Sequence, residues 1–273
     1  MSRPVVVLLT DYGPGSEHVG ALHAVIARAC PGADRIDLAH DIPPGDVRRG
    51  AVVLARLAPL VPAGAILLAV VDPGVGTERR GVAIALRAGG ALVGPDNGLL
   101  TLAADRLGAA RALALAAPPD AAATFHGRDV FAPAAAALAA GAGLMGQPVE
   151  LADLIRTELP PPRAVPGRLE ATVLGADRFG NVELLAGPED LGRARLRPGD
   201  AVTVAPAGRG TVHRATVARV FADLPPGGLL VFVDGSAAVA LAVNGGDAAR
   251  LTGAGPGDAV VVAGLPDTSG PVI

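Results

Sequence analysis

The first half of the chain alternates short apolar runs with segments whose apolar residues recur at helical spacing. Residues 5–9, 65–71 and 82–86 form runs without polar interruptions, a pattern typical of strands buried on both faces of a sheet. Helical spacing covers 18–29 and 47–58. This alternation predicts an α/β domain with a mainly parallel sheet.

Weaker signals complete the prediction for this half. Asp46 is a suitable N-cap for the helix at 47–58, and Gly89-Gly90 marks a turn between two strands. The other predicted elements are strands at 35–38 and 91–93 and helices at 99–106 and 129–140.

The pattern changes at LPPPRAVP, residues 159–166, because three consecutive prolines fit neither a helix interior nor a central strand. We therefore predict an α/β domain at 1–158, a proline-rich linker at 159–167 and a second domain at 168–273. Short β-like runs separated by turn residues predict that the second domain is an all-β barrel. These runs cover 169–174, 201–204, 211–220, 229–233, 239–243 and 259–263.

Composition and charge exclude several classes of function. A net charge of −3 gives no reason to expect nucleic acid or an anionic membrane as a partner. The absence of lysine excludes Schiff-base chemistry and a phosphate-binding P-loop, and the single cysteine excludes an internal disulfide. Neither a secretory signal nor an apolar stretch of ~20 residues is found. We therefore expect a soluble cytoplasmic protein.

Acidic residues follow three of the predicted strands. Asp11, Asp72 and Asp96 stand where the strands end, and ligands of open α/β sheets bind at the carboxyl ends of the strands. A single aspartate at such a place is as often a turn residue as a functional one. Three of them at one edge indicate a site.

The segment VDPGVGTERR, residues 71–80, leaves a buried strand through an aspartate and returns through two arginines. Pro73-Gly74 turns the chain, so one arginine can reach back to Asp72. The result is either a structural ion pair or part of a site. The spacing does not decide whether Arg79 or Arg80 faces Asp72.

His126 lies in FHGRD, residues 125–129, directly before a predicted helix. The free N–H groups and partial positive charge of a helix N-terminus favour a neutral imidazole, which suits a base or a hydrogen-bond donor. A packing role is the alternative. For the other histidines we expect surface or packing roles; they are His18, His23, His40 and His213.

The second domain contains one further candidate, the turn DRFGN at 177–181. Its residues are ordinary turn formers. They are also able to bind a ligand that combines an amine, a flat ring and a hydrogen-bonding edge.

Together, these motifs resemble the S-adenosylmethionine (SAM) hydroxide adenosyltransferases, which are relatives of the fluorinases and chlorinases. LTDYG, AHDIPPGD, VVDPGVGTERR, GPDNGLL, FHGRDVFAP, DRFGN and LAVNGG occur in the expected order and span nearly the whole chain. VDPGVGTERR and FHGRDVFAP are the most specific. The resemblance implies an N-terminal α/β domain, a C-terminal β-barrel and a homotrimer in which the ligand lies at the subunit interface.

The resemblance also implies the reaction, in which water converts SAM to adenosine and L-methionine without a metal or cofactor. The implied catalytic residues are Asp72, Arg79 and His126. Asp11 would bind the ribose hydroxyls, Phe179 and Asn181 would bind adenine, and Asp177 would face the methionine ammonium group. Ser236, Val243 and Asn244 would line the same pocket from the barrel.

Three positions depart from the family pattern, and all three concern the methionine end of the expected pocket. Ser16 replaces an acid, His18 an aromatic residue and Ala240 a glutamate. The segment between Gly98 and His126 lacks the inserted loop of the halogenases, which favours the hydroxide-using branch.

Two alternatives remain open on the sequence. The first is a metal-dependent hydrolase of a nucleoside-like substrate. Its ligands would come from Asp11, His40, Asp41, Asp72, Asp96 and His126. The second is a non-catalytic module that binds SAM or a nucleoside.

Overall fold

The computed structural model describes residues 3–143, 145–208 and 210–265. The chain divides into two compact units, residues 1–158 and 159–273. The final eight positions of the second domain proposed from the sequence, 266–273, lie outside the described residues.

In its described residues, the N-terminal unit combines a seven-stranded sheet with four α-helices. Its strands are β1 (Val5–Thr10), β2 (Asp34–Ala39), β3 (Ile66–Val70), β4 (Gly81–Leu86), β5 (Ala91–Pro95), β6 (Ala109–Leu115) and β7 (Gln147–Val149). Its helices are α1 (Glu17–Ala29), α2 (Val47–Leu57), α3 (Thr101–Leu107) and α4 (Ala132–Ala139). Single 3-10 turns lie at Ala58–Leu60 and Leu151–Asp153, and a π-helical turn at Gly127–Phe131 leads into α4.

The sheet has the strand order β2-β1-β3-β5-β4-β6-β7. The first four strands in this order are parallel to one another, which agrees with the predicted parallel sheet. The remaining neighbours are antiparallel. The change occurs where β4 and β5 form a hairpin through the predicted Gly89-Gly90 turn, because a hairpin reverses the chain direction. The unit is therefore α/β, as predicted, with a mixed sheet.

Both faces of this sheet are buried, as the uninterrupted apolar runs predict. In β1, Val6 and Leu8 belong to the core cluster that includes residues of α1 and α4. Val7 and Leu9 belong to the cluster on the opposite face, with residues of α2 and α3. Successive side chains of a strand point to opposite faces, so both sets must be apolar.

Strand register places two of the predicted acidic residues side by side. Thr10 at the end of β1 pairs with Val70 at the end of β3. Asp11 and Asp72 follow these two strand ends, and the backbone N–H of Asp11 donates to the Val70 carbonyl at 3.4 Å. The topology therefore brings both carboxylates to one edge of the sheet, where α/β folds bind ligands.

The C-terminal unit is built mainly from strands. They are β8 (Arg163–Val165), β9 (Arg168–Ala176), β10 (Val182–Leu184), β11 (Ala201–Pro206), β12 (His213–Val217), β13 (Leu229–Val233), β14 (Val239–Val243) and β15 (Ala259–Gly264). Two short helices, α5 (Pro188–Arg193) and α6 (Ala248–Thr252), and a 3-10 turn at Phe221–Asp223 complete the unit.

Seven of these strands close into a barrel, which confirms the predicted all-β architecture. The order is β10-β14-β13-β12-β11-β15-β9, and pairing of β9 with β10 closes the ring. β8 pairs with residues 168–170 of β9, so residues 163–165 of the predicted linker form a strand. Inward-facing residues such as Leu169, Val204 and Leu241 are fully buried in one apolar cluster.

β6 is the main element that the hydrophobic pattern does not predict. Its sequence, AARALAL, is rich in alanine, which favours helices over strands. The segment is a strand because it pairs along its length with β4 and then with β7. Within the described residues, no helix is long and apolar enough to cross a membrane.

Candidate active site

Asp72 and Arg79 stand at the two ends of a tight turn between β3 and β4. The Val75 N–H donates to the Asp72 carbonyl at 3.2 Å, and the Thr77 hydroxyl donates to the Gly74 carbonyl at 2.7 Å. Gly76 has a φ of +80°, and a Cβ at this position would collide with the Ala123 carbonyl. These constraints return the chain toward Asp72 and hold the turn against the segment that precedes His126.

Arg79 makes a bidentate ion pair with Asp72. Its Nε donates to Oδ1 at 3.0 Å and its Nη2 donates to Oδ2 at 2.5 Å. The exposed fractions of the two side chains are 7% and 6%, so the pair is buried. The guanidinium also lies 5.3 Å from the centre of the Phe131 ring. Planar contact to a carboxylate and an aromatic face together fix its orientation.

The same arginine connects Asp72 to His126, because Arg79 Nη2 lies 3.2 Å from Nδ1 of the imidazole. A guanidinium only donates hydrogen bonds, so Nδ1 must be the acceptor in this contact. The neutral ring then carries its proton on Nε2. The structure thus brings Asp72, Arg79 and His126 together.

Arg80 points to the other side of the turn and binds Asp96. Its Nη2 donates to Asp96 Oδ2 at 2.6 Å and to the Asp153 carbonyl at 2.8 Å. The other oxygen of Asp96 accepts the Ile155 N–H at 2.9 Å. Asp96 therefore fastens the 153–155 segment to the sheet. Of the two arginines, Arg79 is the one that faces Asp72.

A cavity of about 300 Å³ opens beside the Asp72–Arg79 pair. Asp11 borders it, and its Oδ2 accepts the Gly45 N–H at 2.8 Å. The cavity is lined by Asp11, Tyr12, Gly45, Val70, Asp72, Pro73, Val75, Thr124, His126 and Gly127. Three of the residues predicted from the sequence, Asp11, Asp72 and His126, thus share one concave space.

Burial changes the acid–base properties of two cavity residues. It raises the pKa of Asp72 above the ordinary aspartate value, and Arg79 and His126 offset only part of this rise. The pKa of the Tyr12 phenol is also raised, first by burial and then by the charges of Asp11 and Asp72. Asp72 therefore takes up a proton more readily than an exposed aspartate, and Tyr12 holds its proton more tightly than an exposed tyrosine.

The residues needed for a metal site have other partners. His40 Nδ1 lies 2.8 Å from the Thr10 hydroxyl, and its Nε2 lies 3.0 Å from Asp37, which also contacts His23. Across the described ranges, no group of three or more His, Cys, Asp or Glu side chains is arranged to hold a metal ion. The six potential ligands suggested by the sequence are therefore not gathered around one point.

In the barrel unit, the DRFGN turn between β9 and β10 is held by its own aspartate. Asp177 Oδ1 accepts the N–H groups of Phe179 and Asn181 at 2.8 and 2.9 Å, and Oδ2 accepts the Asn181 side chain at 2.8 Å. Phe179 is 64% exposed, with the Arg178 guanidinium 4.7 Å from the centre of its ring. The turn presents a flat aromatic surface.

The other barrel residues singled out by the sequence lie at the two ends of β14. Val182 pairs with Leu241, so the DRFGN turn lies beside the end of β14 that carries Val243 and Asn244. Val243 is buried, and the Asn244 side chain donates to the Leu224 carbonyl at 2.7 Å. Ser236 precedes the opposite end of β14, so it is not grouped with the other barrel residues.

Comparison with models of known protein families shows to which family this chain belongs. The model of the SAM hydroxide adenosyltransferase N-terminal domain matches residues 6–146, and the model of the C-terminal domain matches residues 171–261. The chain belongs to this adenosyltransferase family. The match covers both structural units, as the order of the sequence motifs implies.

Individual relatives of this chain agree with the assignment to the family. The (R)-S-adenosyl-L-methionine hydrolase of Salinispora arenicola is 50% identical over 266 residues, which cover 94% of this chain and 97% of that protein. A fluorinase from an Actinoplanes species is 27% identical over 210 residues, 66% of this chain and 70% of its own. The crystal structure of an uncharacterized conserved protein from Thermotoga maritima has a TM-score of 0.86 at 32% identity, covering 94% of this chain and 99% of that one.

The structure shows where the three residues lie at which this chain departs from the family pattern. Ser16 is the N-cap of α1 and accepts the His18 N–H. His18 takes part in an aromatic cluster, with its ring centre 5.6 Å from Tyr12 and 5.0 Å from Phe125. Ala240 is buried in β14.

Tyr12 and Phe131 also belong to the candidate site, although neither was predicted from the sequence. Tyr12 follows Asp11 directly in LTDYG, so its position beside a predicted ligand-binding acid was an available signal. Phe131 offered none, because its contact with Arg79 depends on how the π-helical turn packs against β4.

Alkaline titration tests the charge environment of the cavity. Tyr12 is the only tyrosine and the chain has no tryptophan, so the near-ultraviolet tyrosinate band reports this residue alone. Since burial and two carboxylates raise the pKa of Tyr12, we expect the native protein to form tyrosinate only well above pH ~10. Protein unfolded in denaturant should titrate near ~10. Equal midpoints in the two states would contradict the described environment.

Proposed function

We propose that this protein hydrolyses SAM to adenosine and L-methionine. The observation that carries the proposal is the bridge made by Arg79, which binds both Asp72 and His126 beside a cavity that Asp11 also lines. The support from comparison is a relative, 50% identical over 94% of this chain, that is named an (R)-SAM hydrolase.

The proposed reaction is an in-line displacement at the 5′ carbon of the ribose. A water oxygen forms the new C–O bond while the C5′–S bond breaks, and its electron pair returns to sulfur. The sulfonium leaves as the neutral thioether of methionine, so the leaving group needs no acid. The water loses one proton, so catalysis depends on activating the nucleophile.

The residues beside the cavity have properties that suit this task. Asp72 is the proposed base, because burial raises its pKa and makes it a better proton acceptor than an exposed carboxylate. Arg79 adds a permanent positive charge that favours hydroxide character in the water. His126, with its ring proton on Nε2, orients the attacking water or relays its proton.

Charge balance favours this reaction in an enclosed site. Hydroxide and sulfonium neutralise one another as the transition state forms. A low-dielectric cavity therefore raises the free energy of the transition state less than it raises the free energy of the separated charges. Positioning water for in-line attack accounts for on the order of 7 kcal/mol of barrier reduction in well-oriented reactions. The mechanism calls for no metal or organic cofactor, and we propose that none takes part.

We also propose which residues contact the substrate, from the family resemblance and from the positions of their side chains. Asp11 binds the ribose hydroxyls with Oδ1, since Oδ2 is used by Gly45. Phe179 stacks on adenine, with Asn181 at the edge of the base and Val243 and Asn244 nearby. Asp177 would meet the methionine ammonium through its remaining lone pairs. Ser236 would contact a different part of the ligand, because it lies at the opposite end of β14.

We further propose a cytoplasmic homotrimer that binds SAM at the interface between subunits. The support in this chain is Phe179, a large apolar side chain left 64% exposed on a rigid turn. Binding of a purine or of a second subunit would bury it. Exposed aromatic residues of this kind are enriched where proteins bind partners or ligands.

Isotope labelling tests the proposed reaction directly. Purified protein is incubated with SAM in ¹⁸O-enriched water, and the products are analysed by mass spectrometry. We expect one ¹⁸O atom in adenosine and none in methionine, because water attacks carbon on the ribose side. An Asp72→Asn variant is the control for non-enzymatic breakdown. Intact SAM, or label in methionine, would contradict the proposal.

The different partners of the two arginines predict different effects of their removal. We expect Arg79→Ala to lower kcat/KM by about 10²–10³-fold, because a charge beside the reacting oxygen is lost. Arg80→Ala removes an ion pair outside the cavity and should cost less than about tenfold. Circular dichroism should show that both variants are folded. Equal losses in the two variants would show that Arg79 has no special role.

A further inference from the structure

The Tyr12 side chain is held rigidly beside the candidate active site. Its ring contacts Phe125 edge-on at 6.0 Å and the His18 ring at 5.6 Å. Its backbone N–H donates to the Thr10 hydroxyl at 3.2 Å, and that hydroxyl lies 2.8 Å from His40 Nδ1. The phenol is therefore fixed from both its ring and its backbone.

The hydroxyl of Tyr12 lies against Gly127, the residue that follows His126. A Cβ at Gly127 would overlap this hydroxyl, so only glycine leaves room for it. Tyr12, Gly127, His126 and Asp72 line the same cavity. Among the described residues, the Tyr12 hydroxyl has no hydrogen-bond partner, whereas the polar groups of Asp72 and Arg79 beside the cavity are paired.

The Tyr12 hydroxyl borders the cavity, so a ligand or water there can supply the hydrogen bond that the protein does not. Because the pKa of Tyr12 is raised, the phenol stays neutral and can act as a donor. It can therefore donate a hydrogen bond to an acceptor in the cavity. In the proposed reaction, the acceptor that lies beside Asp72 and His126 is the attacking oxygen.

We propose that the Tyr12 hydroxyl donates a hydrogen bond to the oxygen that attacks C5′, and afterwards to the same atom as the 5′-hydroxyl of adenosine. A donor to this oxygen favours its deprotonated form, which acts in the same direction as the charge of Arg79. This inference rests on the proposed function. It adds Tyr12 to the groups that touch the reacting atoms.

The test uses adenosine and 5′-deoxyadenosine, which lacks the oxygen concerned. Isothermal titration calorimetry gives the ratio of their Kd values for the wild type and for Tyr12→Phe, which keeps the ring and loses only the hydroxyl. We expect the wild type to favour adenosine, and Tyr12→Phe to reduce this preference about fivefold. In turnover with SAM, we expect kcat to fall about tenfold while KM stays within about twofold.

A second variant addresses the same hydroxyl from the opposite side. Gly127→Ala places a methyl group where the hydroxyl lies, so we expect the same loss of preference for adenosine. An unchanged preference in both variants, in protein whose wild type hydrolyses SAM, would overturn this inference alone. A wild type that neither binds adenosine nor hydrolyses SAM would overturn the proposed function together with it.

Discussion

The buried ion pair between Asp72 and Arg79 is the interaction on which the site depends. It closes the turn between β3 and β4, and it positions the guanidinium that also contacts His126. Two charges lose much of their hydration when they are buried, and only bidentate geometry with further contacts compensates for that loss. Here the aromatic face of Phe131 and the imidazole of His126 supply those contacts.

The same burial changes the acid–base properties of the pair. An exposed pair would leave Asp72 with an ordinary acidity, whereas the enclosed carboxylate has a raised pKa next to a fixed positive charge. Two neighbouring polar residues also border the cavity. Asp11 Oδ2 accepts the Gly45 N–H, and Tyr12 keeps its proton because burial, and then the charges of Asp11 and Asp72, raise its pKa. The cavity wall therefore carries a proton acceptor and a neutral donor, with a permanent cation paired to the acceptor.

Much of this organisation follows from local patterns in the chain. Uninterrupted apolar runs predict the doubly covered sheet, and an aspartate after a strand predicts an acid at its ligand-binding edge. The family resemblance carried by two specific motifs predicts that Asp72 and His126 belong to one catalytic set. β6 could not be predicted, since alanine-rich sequence takes its conformation from the strands beside it. The position of Ser236 at the opposite end of β14 from Asn244 likewise depends on strand register.

The choice between Arg79 and Arg80 shows where local patterns stop being sufficient. Adjacent residues at the start of a strand point to opposite sides, but only the register of β4 with β5 decides which side faces Asp72. That register also places Asp96 next to Arg80, so each arginine has its own carboxylate.

A double-mutant cycle on Asp72→Asn and Arg79→Met, measured as kcat/KM for SAM, tests most directly whether the buried pair acts as a unit. If it does, the double variant will be about as slow as the slower single variant, because either change alone already disables the pair. Losses that simply multiply would show that the two residues act independently.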